Sequence, residues 1–106
     1  MAYKWPNKDP DETLDYSVDW SRYLDGANIN SYRWFCEDSD GTKTLFSGGG
    51  TINGLTHGGA AFDTYVVTIT LSGGTNNTTY ALYNEITSTS GITTERKINL
   101  KVRQRT

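Results

Sequence analysis

The chain has 106 residues, with 12 acidic and 10 basic side chains for a net charge of −2, a size that suits one domain with a single modest core. Its 12% aromatic content argues against disorder, and no apolar run approaches the roughly 18 residues of a membrane span. The single cysteine, Cys36, excludes an intrachain disulfide, and a pI near 5.2 argues against nucleic acid as a partner.

Residues 1–13 read as an extended arm, because Pro6 and Pro10 bias the residues before them away from helix. The domain is expected to fill residues 14–106. Its first strand starts near Leu14, where Tyr16, Val18 and Trp20 alternate with Asp15, Ser17 and Asp19. Residues 21–28 suit a turn or a single helical turn, broken at Asp25-Gly26. The next strand puts Tyr32, Trp34 and Cys36 on one face. Asp40-Gly41 then signals a hairpin into Thr42–Phe46. Gly48, Gly49 and Gly50 break the chain, and residues 51–63 read as a loop with a short strand. Tyr65, Val67, Ile69 and Leu71 form the next inward row, followed by Tyr80, Leu82, Asn84 and Ile86. Ile98, Leu100 and Val102 form the last, with Lys97, Lys101 and Arg103 on the outer face.

About seven strands without a convincing helix predict an all-β, immunoglobulin-like sandwich. A jelly roll or a small open barrel is the alternative. Trp34 is the candidate core tryptophan, and Tyr80 stands where such folds place a corner tyrosine.

The charge is uneven. Residues 1–40 hold nine acids against four bases, and residues 41–106 hold three against six. The acidic stretch KDPDETLDYSVDW, residues 8–20, is the obvious place to look for chemistry. A glycosidase pair needs a carboxylate whose pKa is raised by burial, and Asp15 and Asp19 fall on the polar face of a strand. Asp38–Thr42 begins like a calcium loop, but the twelfth position is Gly49 where an acid is required. His57, the only histidine, lies in the glycine-rich stretch GLTHGG and is expected on an exposed loop without catalytic partners. The glycines of FSGGGTINGL do not fit a phosphate-binding pattern. No enzyme, no cofactor and no metal site is expected. A small β domain that works by contact is what remains.

Two segments carry a resemblance. KDPDETLDYSVDWSRYL, with K-D-P-D, L-D-Y and D-W-S, resembles the opening of small virion proteins of tailed bacteriophages. SGGTNNTTYALYNEITSTSGITTERKINLKVRQR is similar to their closing pattern. The resemblance implies a non-enzymatic structural protein of the virion, assembled in the host cytoplasm. Capsid decoration (cement) and a fibre–tail adaptor are both open under it. The implied partners are the major capsid protein or tail and fibre proteins, and a homo-oligomer stays open. Under this reading residues 8–14 are an assembly arm. Lys8, Asp9, Asp11 and Glu12 would steer it to a partner, and Tyr3 and Trp5 would anchor it. The rival reading is a carbohydrate-binding sandwich using Trp5, Tyr23 or Tyr83 as its platform.

Overall fold

The computed structural model describes residues 3–104, Tyr3 by its backbone alone. In chain order the elements are β1 (Tyr3–Lys4), β2 (Thr13–Asp19), α1 (Ser21–Leu24), β3 (Ile29–Glu37), β4 (Lys43–Leu45), β5 (Thr51–Ile52), β6 (Leu55–Phe62), β7 (Val66–Gly73), β8 (Thr78–Ser88) and β9 (Thr93–Val102). They form two open sheets, ordered β1-β9-β8-β3-β4 and β2-β7-β6-β5. Every pairing is antiparallel except β1 on β9. The two inner faces close on one another as a β-sandwich. The strand order follows that of immunoglobulin domains, and neither sheet closes into a barrel.

The period-two rows decide which side chains go inside. Tyr16, Val18 and Trp20 from β2 and its end meet Trp34 and Cys36 of β3. Val67, Ile69 and Leu71 of β7 face Tyr80, Leu82 and Ile86 of β8, and Ile98, Leu100 and Val102 of β9 complete the core. Trp34 is buried as expected, at 2% exposure. The Tyr80 hydroxyl donates to Asn53 O at 2.6 Å and accepts the Thr75 N–H at 2.8 Å. It thereby ties the β5–β6 turn to the β7–β8 turn, much as a corner tyrosine would.

Three expectations change. Residues 51–63 are not mainly loop: they form β5 and the eight-residue β6. The apolar signal of β6 is diluted by glycine and alanine, and a register shift between His57 and Gly59 breaks its alternation. Tyr65 is not part of the inward row of β7. It precedes the strand, is exposed, and its carbonyl accepts the Trp20 N–H at 2.8 Å. Among the described residues nine strands replace about seven, because β1 and β5 are two-residue pairings too short to show a period.

The N-terminal segment is held by its own domain. Beyond the β1 pairing, the Trp5 N–H donates to Asn99 O at 3.0 Å, the Lys8 N–H to Lys101 O at 2.9 Å, and the Arg103 N–H to Lys8 O at 2.8 Å. Residues 3–8 are thus an edge strand in all but regularity, running parallel to β9.

Candidate assembly interface

The six residues singled out in the N-terminal segment separate by environment. Trp5, expected as an anchor for a partner, is in the domain's own core at 8% exposure. Its ring stacks on Tyr16 at 4.6 Å and 21°, it lies 5.9 Å from Trp34, and its indole N–H reaches Ser17 O at 3.3 Å. The side chain of Tyr3 lies outside the described residues. Lys8, expected to meet a partner, is fully buried. Asp9 and Glu12 are half-buried, and Asp11 is exposed.

The acidic cluster is a turn closed by its own side chains. The Glu12 carboxylate accepts the Asp9 N–H at 2.9 Å, the Asp9 carboxylate accepts the Asp11 N–H at 2.9 Å, and the Glu12 N–H returns to Asp9 O at 3.0 Å. These bonds satisfy backbone donors of a turn that lies outside the strand ladders. The Lys8 ammonium sits beneath the turn and donates to Asp9 O at 2.9 Å and Gly73 O at 2.7 Å. Desolvation pushes its pKa below the usual lysine range, opposed by the charges of Glu12, Asp9 and Asp11.

The Lys8–Gly73 bond joins KDPD to SGGT, the two motifs of the sequence resemblance. Glycine is required at that contact. A Cβ on Gly73 would lie 2.8 Å from Gly54 O, and one on Gly74 would lie 2.7 Å from a Val102 methyl, both at positive φ. Lys8→Met removes the charge-assisted donor to Gly73 O, while Asp9 O keeps the Glu12 N–H. It should cost about 2 kcal/mol, measured by urea denaturation. An unchanged midpoint would show that the latch contributes nothing.

The remaining polar groups are accounted for locally. The Asp15 carboxylate accepts the Thr70 hydroxyl at 2.6 Å. The Asp19 carboxylate accepts the Ser21 N–H at 2.9 Å, and that bond holds its pKa below the usual range. The Asp38 carboxylate accepts the N–H groups of Asp40 and Thr42, so the supposed calcium loop is a hairpin turn. His57 is not on an exposed loop. It is buried in β6 at 4% exposure, its Nδ1 accepts the Gly59 N–H at 3.0 Å, and its ring packs edge-on against Phe46. Burial pushes its pKa below the usual value and keeps it neutral. Cys36 is buried, and burial first, then Glu37 and Asp38, pushes its thiol up to about 12. A thiol so protonated is no nucleophile at neutral pH. Among the described residues, no group of three or more His, Cys, Asp or Glu is placed to hold a metal.

The outer face of the β9-β8-β3-β4 sheet carries aromatic rings under cations. Phe35 stands between Tyr83 and Leu45 in register, and the Lys43 ammonium lies 4.6 Å from the Phe35 ring centre and 5.0 Å from that of Tyr83. Lys43 pairs with Glu95 at 2.5 Å, and Arg33 with Glu85 at 2.7 Å. Tyr83 donates its hydroxyl to Glu37, and this bond chiefly pushes its pKa up to about 12. Trp5, Tyr23 and Tyr83 therefore do not form one sugar platform: Trp5 is internal, Tyr83 is engaged on this face, and Tyr23 packs edge-on against Trp20.

The profile of the family described as Podophage GP4 fiber-tail adaptor protein gp77 matches residues 8–101. The chain belongs to this family. No curated protein matches it by sequence. The matched span starts at Lys8 and so contains the Lys8–Gly73 latch. Membership makes the chain a phage structural protein and a virion component, as the sequence resemblance implied. It gives no support to capsid decoration or to carbohydrate binding, the two readings kept beside the adaptor.

Proposed function

We propose that the chain is a fibre–tail adaptor, a non-enzymatic part of a podophage virion that works by protein–protein contacts between tail and fibre components. The observation that carries this is the family match across residues 8–101. The chemistry of the fold agrees with it: the cysteine is buried and protonated, the histidine is buried and neutral, and the acids are tied into turns and strand pairs. The acidic turn at Asp9, Asp11 and Glu12 is then the part of the N-terminal segment that meets a basic partner surface. It sets approach and register more than affinity. Trp5 and Lys8 hold that turn in place from inside.

Copy number tests the proposal. An adaptor at a symmetric tail or fibre vertex is present at about six to a few tens per particle, set by the ring symmetry. Mass spectrometry of purified particles, scaled to the major capsid protein, should return that range. Hundreds of copies would make it a decoration protein, and absence from particles would end the structural reading.

A further inference from the structure

The side of the sandwich opposite the N-terminal segment is open. The β9-β8-β3-β4 sheet ends at β4, and β4 carries a free hydrogen-bonding row. The Asp38 N–H bonds Thr42 O at 3.0 Å and the Phe46 N–H bonds Trp34 O at 2.8 Å. With the pairs Cys36↔Thr44 and Phe35↔Leu45, this places Thr42, Thr44 and Phe46 with their backbone toward β3. Lys43 and Leu45 therefore direct N–H and C=O groups away from the sheet.

Beside this edge runs a groove of about 430 Å³ between the two sheets, lined by Tyr32, Trp34, Phe46, His57 and Ala60. Leu45 and Phe62 stand exposed at this side, at 53% and 44%, and Phe62 rests on Tyr32 at 5.4 Å. The Trp34 indole N–H is buried with no hydrogen-bond partner among the described residues. The one charged side chain in the lining, Arg33, is more than half exposed despite its bond to Glu85.

We propose that β4 and this groove form a docking site for an extended polypeptide segment of a partner virion protein, which adds to the sheet as a further strand. The segment bears apolar side chains at alternate positions and a carboxylate that meets Arg33. Unpaired N–H and C=O groups at a two-residue spacing match an extended backbone. The groove takes the inward side chains, and Arg33 in its lining sets the sign of the charge there. The inference rests on the adaptor reading for the partner's identity, and not for the site itself.

The test is an array of overlapping 15-residue peptides from the tail and fibre proteins encoded with this chain, probed with the intact protein. Bound peptides should show alternating apolar residues with an acid. Leu45→Pro removes an outward N–H that the fold does not use, a place edge strands accept proline, and should weaken binding more than tenfold with the thermal midpoint unchanged. Leu45→Asp, at an exposed position, should do the same beside Arg33-matched peptides and serves if the proline variant misfolds. No bound peptide, or equal binding by a folded Leu45 variant, overturns the site. Peptide binding by a protein that is absent from particles leaves the site standing and removes the adaptor reading.

Discussion

Replacing Trp5 with alanine lowers the unfolding midpoint of the domain by about 15–25 °C, and removing residues 1–12 leaves a chain that does not fold cooperatively. Truncating a buried tryptophan costs about 3–5 kcal/mol, and each kcal/mol moves the midpoint of a domain near this size by roughly 4–8 °C. Among the described residues, the indole is the only side chain before residue 13 that belongs to the core cluster. Its loss uncovers the ring of Tyr16, one face of Trp34 and the Ser17 carbonyl at once. Deletion goes further. It also removes the parallel partner of β9 and the ammonium that binds Gly73 O. A domain marginal by some 5–15 kcal/mol has little to spare against the sum. Thermal unfolding followed by circular dichroism decides it. A deletion variant that melts cooperatively within a few degrees of the parent would show that the segment is a detachable arm.

This expectation reverses what residues 1–13 suggest when read alone, and the reason is physical. β1 is two residues long and is followed closely by Pro6, so no alternation exists to be seen. Its partner is β9, almost the whole chain away, and parallel pairing leaves no local turn signature. Lys8 was hidden for a different reason. A lysine is read as exposed unless partners are visible, and its partners are backbone carbonyls, one of them 65 positions on. By contrast β2, β3, β7, β8 and β9 were legible because each alternates over seven or more residues. β6 was hidden by its composition, since LTHGGAAF derives its place from pairing with β7 more than from an apolar row of its own. The groove beside β4 could not be read at all. It depends on which way the Lys43 and Leu45 backbones point, a fact fixed by register and not by residue type.

The second large effect lies at Asn84, a polar residue in the middle of the inward row of β8. It is fully buried. Its amide oxygen accepts the Trp20 indole N–H at 2.8 Å, and its amide nitrogen donates to Arg33 O at 3.2 Å. Trp20 follows β2 in one sheet and Asn84 belongs to the other, so this bond crosses the sandwich where no disulfide exists to do so. Arg96 covers the outside of the same indole at 4.3 Å and donates to Asp19 O at 2.7 Å. Asn84→Ala leaves a buried N–H unpaired and a small void, each costing about 1–3 kcal/mol, and should destabilise the domain by about 3 kcal/mol. Asn84→Asp keeps the acceptor but places a carboxyl where its ionised form is desolvated, so its folded pKa rises above the unfolded value near 3.9. The folded state then binds the extra proton, and the variant's stability should fall as pH rises from about 4 through the folded pKa. Trp20→Phe with Asn84→Leu removes donor and acceptor together, and should recover at least 1 kcal/mol relative to the sum of the single changes. Strict additivity in that cycle, with a pH-independent Asn84→Asp variant, would mean that the sheets are joined by apolar packing alone.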